Sequence, residues 1–68
     1  MENRHYINDT IILLLNNGLV VKEDTVINTI PPFVEWLKNS KGIDFSKLRH
    51  IDFPELYKEF YILFISNY

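Results

Sequence analysis

No cysteine occurs among the 68 residues, and only two glycines do. The first absence removes disulfides and thiolate metal sites, the usual supports of so small a chain. The second leaves no glycine-rich loop to cradle a phosphate, because Gly18 and Gly42 each stand where a helix has to stop. An excess of positive charge is also missing: seven Lys and Arg against nine Asp and Glu give a net charge of −2. That balance disfavours phosphate backbones and anionic membranes, which reward clustered cations. The longest unbroken aliphatic run, Ile11 to Leu15, is far short of the roughly 20 residues that span a bilayer. The polar opening MENRHYINDT lacks the apolar stretch of a signal peptide. A cytoplasmic setting without membrane contact is therefore expected.

What is present is apolar and aromatic. At 47% hydrophobic residues the composition is that of a folded chain rather than a disordered one. At this length, however, the gain from burial and the entropy of ordering nearly cancel. Self-association or a bound partner is the natural further source of stability.

Apolar residues recur at helical spacing. Ile7, Ile11 and Leu14 make a stripe that closes at Gly18, with Arg4, Asn8, Asp9 and Asn16 opposite. Leu19 to Lys22 reads as extended, and Asp24 or Thr25 as the cap of a short helix that stops near Thr29, ahead of Pro31 and Pro32. A hairpin pairing Leu19–Val21 with Thr25–Ile27 is the alternative; its turn has neither Gly nor Asn. Proline suits a first helical turn, so Pro31-Pro32 opens a third helix with Phe33, Val34, Trp36 and Leu37 inward. IDFSKL at Ile43 to Leu48 and IDFPEL at Ile51 to Leu56 echo each other, each with a capping residue and an anchoring Phe. Asp52 as cap, Pro54 in the first turn and Glu55 answering the cap start the last helix. There Phe53, Leu56, Phe60, Leu63 and Phe64 are expected inward, flanked by Tyr57, Tyr61 and Tyr68. The fold expected is all-α, a single helical domain over 1–68. Its compact bundle has four to five short helices, about 2–17, 25–29, 32–40, 45–50 and 53–67, alone or as a homodimer.

Chemistry-bearing constellations are scarce. His5 and His50 have neither HExxH nor paired HxxxH spacing, and read as surface or capping residues. Ser40, Ser46 and Ser66 lie in no G-x-S-x-G elbow. No enzyme, metal, cofactor or small-molecule substrate is expected. The cations Lys38, Lys41, Lys47 and Arg49 surround Gly42 and the short helix after it, the best candidate for nucleic-acid contact through a helix-turn-helix-like segment. Glu35, Asp44 and Asp52 dilute their field.

The stretch FVEWLKNSKGIDFSKL resembles helical modules such as SAM-type domains and the DNA-clamping amino-terminal domains of tyrosine recombinases. The likeness covers about half the chain and rests on generic features, a WL pair and a helix-stopping glycine. Pro31-Pro32 and the acidic charge depart from the recombinase pattern, so no family is assigned on it.

Apolar residues in surplus of the core stripes are the informative feature. Ile12 and Leu15 on the first helix, and Ile62 and Ile65 on the last, fall on the polar side, and Tyr57, Tyr61 and Tyr68 are of the type that anchors interfaces. The expected function is a small non-enzymatic protein-protein interaction module, acting on itself as a homodimer or on another protein as an inhibitor, adaptor or antitoxin/immunity-like regulator. Phage or mobile-element regulators have this size and character. The alternative is a small DNA-binding regulator using Lys47 and Arg49.

Overall fold

A computed structural model describes residues 5–66, and the side chains of 6–66. Four α-helices carry the fold: α1 (His5–Asn16), α2 (Glu23–Asn28), α3 (Ile30–Trp36) and α4 (Phe53–Ser66). A π turn, Leu37–Lys41, prolongs α3, and a 3-10 turn, Phe45–Lys47, precedes α4. There is no strand among the described residues, so the expected all-α class holds and the hairpin alternative is overturned. Leu19–Lys22 does run extended, with Val21 buried and Val20 exposed in the alternation of an extended chain.

Ile7, Thr10 and Leu14 are the buried stripe of α1, spaced at three and four residues as one helix face requires. The Thr10 hydroxyl donates to the Tyr6 carbonyl at 2.6 Å, which makes its burial tolerable. Gly18, at φ +80°, ends the helix. Leu19 N–H reaches the Leu14 carbonyl at 2.8 Å and Gly18 N–H the Leu15 carbonyl at 3.0 Å, the bond pattern of a left-handed glycine stop.

The second helix begins earlier than expected. Lys22, extended at φ −97°, precedes Glu23, so Asp24 and Thr25 are inside the helix rather than capping it. Glu23 and Asp24 occupy its first turn, where the helix dipole favours carboxylates. Thr29 breaks the chain between α2 and α3 at φ −99°, ψ 7°. The third helix then starts at Ile30 and not at 32, with Pro31 and Pro32 in its first turn, where no intrahelical N–H is wanted. Its end is a π turn closed by left-handed Gly42 at φ +67°. The expected helix over 45–50 shrinks to the single 3-10 turn, capped by Asp44, whose Oδ1 accepts from Ser46 N–H at 3.0 Å. Asp52 has a different role from its echo partner Asp44: its carboxylate takes the Arg49 guanidinium, Nε to Oδ2 at 2.8 Å. Asp52 still stands at the expected cap position, directly before Phe53, with its carbonyl accepting from Leu56 N–H at 3.2 Å, and Glu55 lies 3.8 Å from Lys58.

On α4 the buried stripe is Phe53, Tyr57 and Phe60, continued by half-buried Phe64. That spacing of four, three and four places Tyr57 on the core line and leaves Leu63, expected inward, 48% exposed to one side of it. Phe33 of α3 is the centre of the core. Its ring meets Phe53 at 5.1 Å, Phe60 at 5.4 Å and Tyr57 at 5.5 Å, all edge-on, an arrangement favoured by the ring quadrupoles. Phe45 and Trp36 approach it at 6.2 and 6.1 Å. The first and last helices make the most extensive pairing in the fold. Their amino-terminal turns meet where Tyr6 packs edge-on to Phe53 at 4.7 Å.

Candidate functional site

The four surplus apolar residues are outside the core. Ile12 is 56% exposed, Leu15 51%, Ile62 42% and Ile65 41%. Each helical residue turns the side chain by about 100°, so Ile12, two residues from both Thr10 and Leu14, points roughly 160° away from the buried stripe of α1. Ile62 stands in the same relation to Phe60 and Phe64 on α4. Although the two helices pack together, each of these side chains is aimed away from the shared core.

The tyrosines divide. Tyr57, expected at an interface, is fully buried and hydrogen-bonded to Thr29, which removes it from any docking surface. Tyr61 is half-buried and stacks on Tyr57 at 5.7 Å. Tyr68 lies outside the described residues. Sequence reasoning also passed over Val20 (78% exposed) and Ile51 (76%), which sit in connections where helical periodicity gives no signal. The alternation around buried Val21 would have marked Val20.

The cations are not gathered into a free basic face. Lys41 reaches from the π turn to Glu59 at 2.9 Å and sits 5.6 Å from the Trp36 ring centre, tying the end of α3 to α4. Arg49 is paired with Asp52, which raises the guanidinium pKa further by hydrogen bonding. The N–H of Ser46, and then its hydroxyl, hold the Asp44 carboxyl below its ordinary range, with Lys38 adding a smaller pull. Lys47 ends the 3-10 turn, and Arg49 lies beyond that turn rather than on a helix with it.

One cleft of about 280 Å³ opens where α1, the 3-10 turn and the start of α4 converge. Its floor is Tyr6, Phe45 and Phe53, and Arg49 and His50 stand at its rim. His50 lies over Tyr6 with ring centres 5.2 Å apart, a packing role in place of the local bond to Asp52 that the sequence allows. The side chain of His5 is outside the description. Among the described residues no three His, Asp or Glu side chains gather as metal ligands would. No helix among them is long and apolar enough to cross a membrane. Compared with known proteins, the chain matches no family model, no curated protein and no solved structure.

Proposed function

We propose that the chain is a small non-enzymatic protein-protein interaction module working through the outward faces of its terminal helices. The observation that carries this reading is the exposure of Ile12, Leu15, Ile62 and Ile65 while the core closes without them around Phe33. Apolar surface of this kind on a small domain is stabilised when another protein covers it. A second copy is the first partner to test, because a chain with so little core gains stability from association. The inhibitor, adaptor or antitoxin-like roles are forms of the same docking on a different protein.

The DNA-binding alternative has less behind it. Arg49 and Lys41 each face a carboxylate, and a single 3-10 turn is shorter than a groove-reading helix.

Light scattering at micromolar to submillimolar concentration, with wild type beside Ile62→Glu and Ile12→Glu, tests the proposal. A dimer that either substitution dissociates, with helicity retained, supports self-association. A wild-type monomer sinks it, and loss of a captured partner in both variants then supports docking on another protein. Duplex DNA binding that falls steeply with salt and survives both substitutions would favour the alternative.

A further inference from the structure

The cleft beside Arg49 sets aromatic rings beside a guanidinium and an imidazole. Three aromatic rings form its floor, with Phe45 and Phe53 edge-on at 6.4 Å and Tyr6 against Phe53 at 4.7 Å. Among the described residues no carboxylate lines it, whereas a guanidinium and an imidazole do. At about 280 Å³ it is roughly twice the volume of a cavity that holds benzene, about 150 Å³. One ring or two fused rings fill such a space.

The Arg49–Asp52 pair shapes the rim. Asp52 accepts from Nε at 2.8 Å and from Nη2 at 3.3 Å. A guanidinium carries five N–H donors in a fixed plane, so that pairing holds the plane and leaves three donors, two of them side by side on its outer edge. Such an edge matches the two oxygens of a carboxylate. The Ser46 hydroxyl gives its proton to Asp44 at 2.9 Å, so among the described rim residues Arg49 and His50 are the ones with donors to offer.

We propose that this cleft binds a flat aromatic carboxylate, its ring seated among Tyr6, Phe45 and Phe53 and its anion on the outer edge of Arg49. The ligand is either a free aromatic acid or the carboxyl terminus of a peptide ending in an aromatic residue. This inference is independent of the apolar helix faces.

The test is an amide chemical-shift titration of the full chain with 3-phenylpropionate, indole-3-acetate, a tripeptide ending in Phe with a free carboxylate, and 3-phenylpropionamide. The acids are expected to shift the amides of residues 45–53 saturably, with a dissociation constant on the order of 0.1–1 mM. The amide is expected to bind at least about tenfold more weakly, the value of a charged hydrogen bond. Arg49→Gln, at an exposed side chain, is expected to weaken the acids about tenfold and leave the amide unchanged, with unaltered core resonances showing that the fold is intact. Binding of the free acids alone assigns a small-molecule ligand, and binding of the tripeptide assigns a chain terminus. The proposal is overturned by the absence of saturable shifts up to about 10 mM acid, by equal binding of acid and amide, or by undiminished acid binding in Arg49→Gln.

Discussion

The Tyr57 hydroxyl lies 2.7 Å from the Thr29 hydroxyl, joining α4 to the break between α2 and α3 inside the core. The direction of the bond follows from proton supply. Thr29 Oγ1 already donates its one proton to the Thr25 carbonyl at 2.8 Å, with the Val26 carbonyl at 3.1 Å. Tyr57 is therefore the donor and Thr29 the acceptor. Removing either partner has unequal consequences. Tyr57→Phe leaves Thr29 still bonded to backbone and is expected to destabilise by about 1 kcal/mol. Thr29→Val strands a buried phenol and is expected to destabilise by about 2–3 kcal/mol. The double variant should be more stable than the two losses added together. Urea melts of the four proteins check this, and strict additivity would show that the bond is not formed.

Burial raises the Tyr57 pKa above its ordinary value near 10, and a Thr29 hydroxyl turned to donate to the phenolate offsets that only in part. The unfolded chain thus releases this proton before the folded one does. The resulting stability is complete below about pH 10 and is lost as pH rises through the higher folded value. Melting temperature should fall between about pH 9.5 and 11, and the fall should be shallower in Tyr57→Phe. Parallel profiles for the two proteins would contradict the assignment.

Phe33 is fully buried and its ring touches rings from α4 and from the 3-10 turn. Phe33→Ala is expected to destabilise by about 3–5 kcal/mol. For a domain of this size that is enough to abolish cooperative unfolding at 25 °C. Far-ultraviolet circular dichroism would show a broad, shallow melt, and a sharp transition within about 5 °C of wild type would exclude Phe33 as the core centre.

Gly18→Ala and Gly42→Ala separate backbone strain from crowding. A Cβ at either site meets nothing within 4 Å, while both backbones have positive φ. The loss, about 1–2 kcal/mol each, should come from conformation alone, and Gly→Asn at the same sites should recover part of it. Thermal melts measure the differences. Equal losses for Ala and Asn would contradict this account.

Ile12→Lys is expected to change the stability of the isolated monomer by no more than about 0.5 kcal/mol, as at other exposed sites. If the outward face of α1 is covered by a second copy, the same substitution removes the concentration dependence of the wild-type melting temperature. Melts at two concentrations a hundredfold apart read both effects. A large loss in dilute protein would place Ile12 in the monomer core.

Helical periodicity identified α1, α3 and α4, and Gly18 and Gly42 marked the stops of α1 and of the turn that prolongs α3, because both signals are local. Tyr57 was legible in the spacing from Phe53 to Phe64, yet its hydroxyl suggested an edge position. Only the partner Thr29, 28 residues away, makes its burial tolerable. The Arg49–Asp52 pair, three residues apart, was within reach of sequence reading, but the cap signature of Asp-Phe-Pro-Glu outweighed it. The cleft was out of reach, since Tyr6 and Phe53 come together only by the packing of the first helix on the last.

The sequence by itself determined an all-α chain of short helices, their glycine stops and the four apolar residues left off the core stripes, since each depends on neighbours within a turn or two. Tertiary structure alone decided that Phe33 is the centre of the core, that Tyr57 is inside it, and that an aromatic cleft forms beside Arg49. Those outcomes depend on which faces meet across long sequence separations, and one-dimensional periodicity contains a face's direction but not its partner.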